Sequence, residues 1–106
     1  MKEFRFTKLN GQNITGTPTV QKNTPFSLTV QTIGTNEEPY ASYAKKFFVL
    51  VLGDDDRTIP EAGQKMDGSD VKTLSGIQFT QTGIIKLSIR SEDSLFEKSI
   101  DITVTD

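Results

Sequence analysis

Most of the chain alternates apolar with polar residues, and one stretch departs from that rule. Lys46–Leu52 reads Lys-Phe-Phe-Val-Leu-Val-Leu, apolar at every position from Phe47 onward and closed by Gly53 and three aspartates. A run of that length is short for a helix and right for a strand covered on both faces. Around it the period is two. Residues 2–9 put Phe4 and Phe6 on one side and Arg5 and Thr7 on the other. Residues 25–33 set Phe26, Leu28 and Val30 against Ser27, Thr29 and Gln31. Ile85, Leu87 and Ile89 alternate with Lys86, Ser88 and Arg90. The last strand sets Phe96, Ile100, Ile102 and Val104 against Glu97, Ser99, Asp101 and Thr103, and Lys98 places its start at a rim.

Weaker segments complete the set. Residues 19–22 suit a short edge strand, since Pro18 cannot donate to a ladder. Residues 71–80 hold an interrupted pattern, with a bulge or bend expected at Ser75-Gly76 and with Ile77 and Phe79 facing inward. Turn signals fall between these segments, at Asn10-Gly11, Asp67-Gly68 and residues 91–94. No stretch supports more than a turn of helix. About seven short strands spaced in this way predict an all-β fold, a two-sheet antiparallel sandwich with Greek-key connections. The run at Lys46–Leu52, residues 83–90 and residues 95–105 are expected in one sheet.

At 106 residues the chain is one domain, spanning 1–106. A net charge of −2 without a dense basic face argues against nucleic acid or an anionic membrane as partner. No apolar run is long enough to insert into a bilayer, and the first residues lack the apolar core of a signal peptide. Cysteine is absent, so the fold rests on burial without disulfides or thiolate metal sites. Histidine is absent too. That removes the usual general base near neutral pH and any Ser-His or Cys-His nucleophile system, so an enzyme is not expected.

One resemblance runs through the chain. Thr24-Pro25-Phe26-Ser27-Leu28-Thr29-Val30 is followed by Tyr43-Ala44, which opens a long strand ending at Asp54-Asp55, and then by Ile59-Pro60. Gly76-Ile77-Gln78-Phe79, the segment Thr82-Gly83-Ile84-Ile85-Lys86-Leu87-Ser88-Ile89 and a final strand over residues 99–104 complete the pattern. It resembles the immunoglobulin-like repeats of large bacterial surface and secreted proteins over residues 20–104. Ala44-Lys45 departs from the Gly-Thr common in that family, as does the strongly apolar Phe47–Leu52 run. The resemblance implies an immunoglobulin-like sandwich, excised from a longer multidomain protein. It further implies a non-catalytic module repeated in tandem, a spacer, stalk or adhesion domain at the cell surface or outside the cell.

Several residues are candidates for more. Asp54, Asp55, Asp56, Asp67 and Asp70 could supply oxygen ligands to calcium, although their spacing is not that of an EF-hand, and the plain alternative is a solvated turn. No other cofactor is expected. The adjacent acids Glu37 and Glu38, and Glu92 and Asp93, sit in turns and splay apart, which does not suit glycoside hydrolysis. A lysine crosslink is disfavoured by the opposite parities of Lys98 and Asp101. Asn13-Ile14-Thr15 is a formal glycosylation sequon, of no consequence in a bacterial setting. If Phe47, Val49 and Val51 enter the core, then Phe48, Leu50 and Leu52 face outward, joined by Tyr40 and Tyr43 at the margin. That patch would meet a neighbouring domain or a second copy in a homodimer, unless residues 60–75 fold over it. The competing function is a ligand-binding module for carbohydrate or calcium, and the absence of tryptophan weighs against a sugar platform.

Overall fold

A computed structural model describes residues 1–66 and 68–106 of the chain. Its nine strands are β1 (Glu3–Leu9), β2 (Gln12–Asn13), β3 (Thr19–Gln21), β4 (Phe26–Ile33), β5 (Lys46–Leu52), β6 (Gly63–Lys65), β7 (Val71–Ile77), β8 (Gly83–Ser91) and β9 (Glu97–Thr105). No helix occurs among the described residues. The strands form two sheets, of order β2-β1-β4-β7 and β3-β9-β8-β5-β6.

The turns follow from their residues. Asn10 and Gly11 both have positive φ (51° and 78°), as a two-residue hairpin of the I′ kind requires, and they pair Leu9 with Gln12. At Ser75-Gly76 the ladder slips. Leu28 faces Leu74 while Phe26 faces Ile77, and Gly76 takes the positive φ of the expected bulge.

One pair departs from the antiparallel expectation, because β3 runs parallel to β9. The chain leaves the first sheet after β2 and joins the far edge of the second. There the Pro18 carbonyl accepts a hydrogen bond from the Thr103 amide, although Pro18 itself has no donor to give.

The two sheets face each other across a single core. The first contributes Phe4, Leu28, Val30, Leu74 and Ile77, and the second Phe47, Val49, Ile85, Leu87, Ile89 and Ile102. The Phe4 and Phe47 rings meet across the layers at 5.5 Å. Met66, carried in from the 60–75 excursion, is fully buried. Each fully buried side chain of this size contributes about 1.5–3 kcal/mol relative to leaving it exposed.

The expectation that β5 is covered on both faces is overturned. Phe47 and Val49 are buried, but Leu50 and Leu52 are 39% and 68% exposed. The reason is position: Leu50 and Leu52 point to the outer face of the second sheet, and β6, which pairs with β5 only across Lys46, Phe47 and Phe48, extends that sheet sideways and lays no second layer over it. Gly63 lies over the Phe48 ring, where a Cβ would come within 3.5 Å of it, and leaves Phe48 half-buried. The chain after β5 therefore shelters Phe48 and stops there.

Candidate interaction surface

The outer face of the five-stranded sheet is built in cross-strand rows, since residues directly opposite one another point to the same side. Phe48 lies opposite Arg90, and Arg90 opposite Glu97. Next come Leu50, Ser88 and Ser99, then Leu52, Lys86 and Asp101, and finally Ile84 opposite Thr103. Ser88 and Ser99 share a hydrogen bond of 2.7 Å at the middle of the face. Ile84, 68% exposed, sits diagonally from Leu52 and extends the apolar strip. In the sequence the sign of Ile84's place here is an apolar residue on the polar parity of β8, beside Lys86, Ser88 and Arg90.

Tyr40 and Tyr43 do not join this face. Tyr43 is buried, edge-on to Phe4 at 5.5 Å, and its hydroxyl donates to the Lys46 carbonyl. Burial pushes that hydroxyl above its ordinary range, and the nearby Asp93 charge adds to the effect. Tyr40 is half-buried against the core, its amide bonded to the Thr32 carbonyl. The two tyrosines instead line a cleft of about 290 Å³ with Ser42, Lys45, Asp93 and Phe96. Its one carboxylate is already engaged. Asp93 accepts from the Ser91 hydroxyl (2.6 Å), the Lys45 ammonium (3.0 Å) and the Leu95 amide (3.1 Å). Those donors, the serine hydroxyl first, hold its carboxyl at about 2. Asp93 thus clasps the β8–β9 turn.

The five aspartates are not gathered into one cluster. Asp67 lies outside the described residues. Asp54, at the end of β5, is buried, and its carboxylate accepts from the Thr80 amide, the Thr80 hydroxyl (2.7 Å) and the Asp56 amide (3.1 Å). Burial pushes its carboxyl up, but the hydrogen bonds from Thr80 and Asp56 outweigh burial and hold it below the usual range. Asp55 and Asp56 are exposed. Asp70 stands at the other end of the molecule, before β7, and accepts from the Gln31 side chain at 2.7 Å. The length of β7, about 23 Å at 3.3 Å per residue, separates it from Thr80 and Asp54. Among the described residues no three acidic side chains converge on a common point where a metal ion could sit.

Lys98 and Asp101 are both exposed and alternate across β9, so neither faces the other inside the core. The geometry thus leaves the outer face of β5 and β8, where Leu50, Leu52 and Ile84 are exposed, as a feature that the fold itself does not consume. Comparison with family models, curated proteins and solved structures finds no match for this chain.

Proposed function

We propose that the chain is an immunoglobulin-like, Greek-key module without catalytic activity, serving as a spacer, stalk or adhesion domain of a bacterial extracellular or cell-surface protein, with Leu50, Leu52 and Ile84 as its contact surface. The strand orders support the immunoglobulin-like part. One sheet holds the first long strand, β4 and β7, while the other holds β5, β8 and β9, a division of the long strands similar to that of such a sandwich. The tandem-repeat and cell-surface parts rest on the sequence resemblance.

The observation that carries the functional reading is the use made of the polar groups. Asp54 and Asp93, the two carboxylates with the richest surroundings, spend their oxygens on Thr80, Asp56, Ser91, Lys45 and Leu95. Outside the core, Leu50, Leu52 and Ile84 form an apolar strip bordered by charge, the composition of a contact surface.

Thermal melts in excess calcium and in chelator, together with a glycan array, test the reading against the ligand-binding alternative. Superimposable melts and a silent array are expected. A melting temperature raised several degrees by calcium, or a reproducible glycan signal, would replace the module with a ligand-binding domain.

A further inference from the structure

The outer face of β8 and β9 carries a pattern of charge that completes itself. Its two cations, Lys86 and Arg90, are both on β8, and its two anions, Asp101 and Glu97, are directly opposite them on β9. Among the described residues none of these four side chains is engaged in an ion pair or a side-chain hydrogen bond. Between the two charged rows lies the low waist of Ser88 and Ser99, small enough for a second surface to come close.

We propose that this face pairs with the same face of a second copy of the chain, about a twofold axis that runs parallel to the strands along the β8–β9 seam. The proposal rests on the reading of this face as a contact surface and names the partner. Such an axis lays β8 of one copy over β9 of the other without changing the level along the strand. Lys86 then meets Asp101 of the second copy, Arg90 meets its Glu97, and symmetry supplies the reciprocal pairs.

The alternative axis, across the strands, sets Lys86 against Arg90 and Asp101 against Glu97, so charge rejects it. Two sheets stacked in the permitted way stay aligned within about 30°, as sandwich layers do. Leu50 and Leu52 then overlie the flank of β9 that β3 leaves open, because β3 reaches only Thr103, Val104 and Thr105. The contact is small and electrostatically selected, hence weak and salt-sensitive.

Sedimentation equilibrium of four proteins tests this. The wild type is expected to dimerise as concentration rises and to dissociate as salt rises. Lys86→Glu with Arg90→Glu makes the face wholly acidic, and Glu97→Lys with Asp101→Lys makes it wholly basic. Each double variant should weaken self-association about tenfold or more. An equimolar mixture of the two should associate again as a heterodimer. The quadruple variant, which exchanges the signs of the two strands, should dimerise like the wild type and keeps every intrachain cross-strand pair opposite in sign. A wild type that stays monomeric at all concentrations overturns the inference, as does a monomeric, folded quadruple variant or a double variant that dimerises unchanged. Those results leave the non-catalytic module standing, whereas a calcium or glycan response removes the module and leaves the dimer untouched.

Discussion

Asp54 shows how differently one carboxylate reads in a sequence and in a fold. In the chain it opens an acidic triplet and suggests a cation. In the structure it reaches across to Thr80 and ties the end of β5 to the turn that leads into β8. No local pattern links residues 26 positions apart, so this role was not legible beforehand. Hydrogen bonds to a charged acceptor contribute about 1.5–3 kcal/mol each, and loss of this acceptor also leaves the part-buried Thr80 amide without its partner. Asp54→Ala should therefore lower the free energy of unfolding in urea by about 2–4 kcal/mol. Asp55→Ala and Asp56→Ala, both at exposed side chains, should change it by less than about 0.5 kcal/mol. Equal losses at all three positions would contradict the assignment.

Asp93 gives a prediction in pH. Its folded carboxyl is held at about 2, below the ordinary 3.8. A depressed pKa means that the folded state releases its proton more readily than the unfolded chain. Its stabilising contribution is thus present in full above 3.8 and is lost as pH falls from there through about 2. Asp93→Asn should flatten the acid limb of a stability–pH profile in that window, while the profile above it keeps its shape. An unchanged acid limb would show that the Ser91 and Lys45 contacts do not hold in solution.

At the scale of elements, the long strands were legible because alternation records which side of a sheet meets the core. β1, β4, β5, β8 and β9 fall close to where the pattern set them, and Ser75-Gly76 carries its bulge. β2 and β6, of two and three residues, are too short to hold a period and were missed. The exposure of β5 is hidden from the sequence for another reason. Hydrophobicity cannot say whether a second layer packs on a face, and β6 lies beside β5 in the same sheet, leaving Leu50 and Leu52 uncovered.

Two glycines flanking this region separate backbone need from space. Gly53 has φ 106°, and a Cβ there would lie 3.0 Å from the Ile85 Cδ1. Gly53→Ala should cost about 1–3 kcal/mol. Gly63→Ala meets the Phe48 ring at an ordinary 3.5 Å and should cost less than about 0.5 kcal/mol. Denaturant melts of the two variants check the order, and its reversal would mean that the close approach lies at β6.

For the whole molecule, the core is complete without the outer half of β5. Phe47 and Val49 point into the shared interior, while Leu50, Leu52 and Ile84 are left outside it. Pattern alone showed that a patch was conceivable. It did not show that Tyr43 turns inward to meet Phe4, or that Ile84 takes its place beside Leu52. Those outcomes depend on how the 34–45 connection closes one end of the sheets and on the register between β5 and β8. Function was the least legible level, because a contact surface is specified by its partner as much as by its own residues.

The central claim is that the apolar strip on β5 is surplus to folding. The free energy of unfolding of Leu50→Ser with Leu52→Ser, set beside that of Val49→Ala, tests it most directly. The double variant should lose less than about 1 kcal/mol in total, whereas the single core truncation should lose about 2 kcal/mol or more. A double variant that loses several kcal/mol would place both leucines in an interior and leave no surface for a partner to meet.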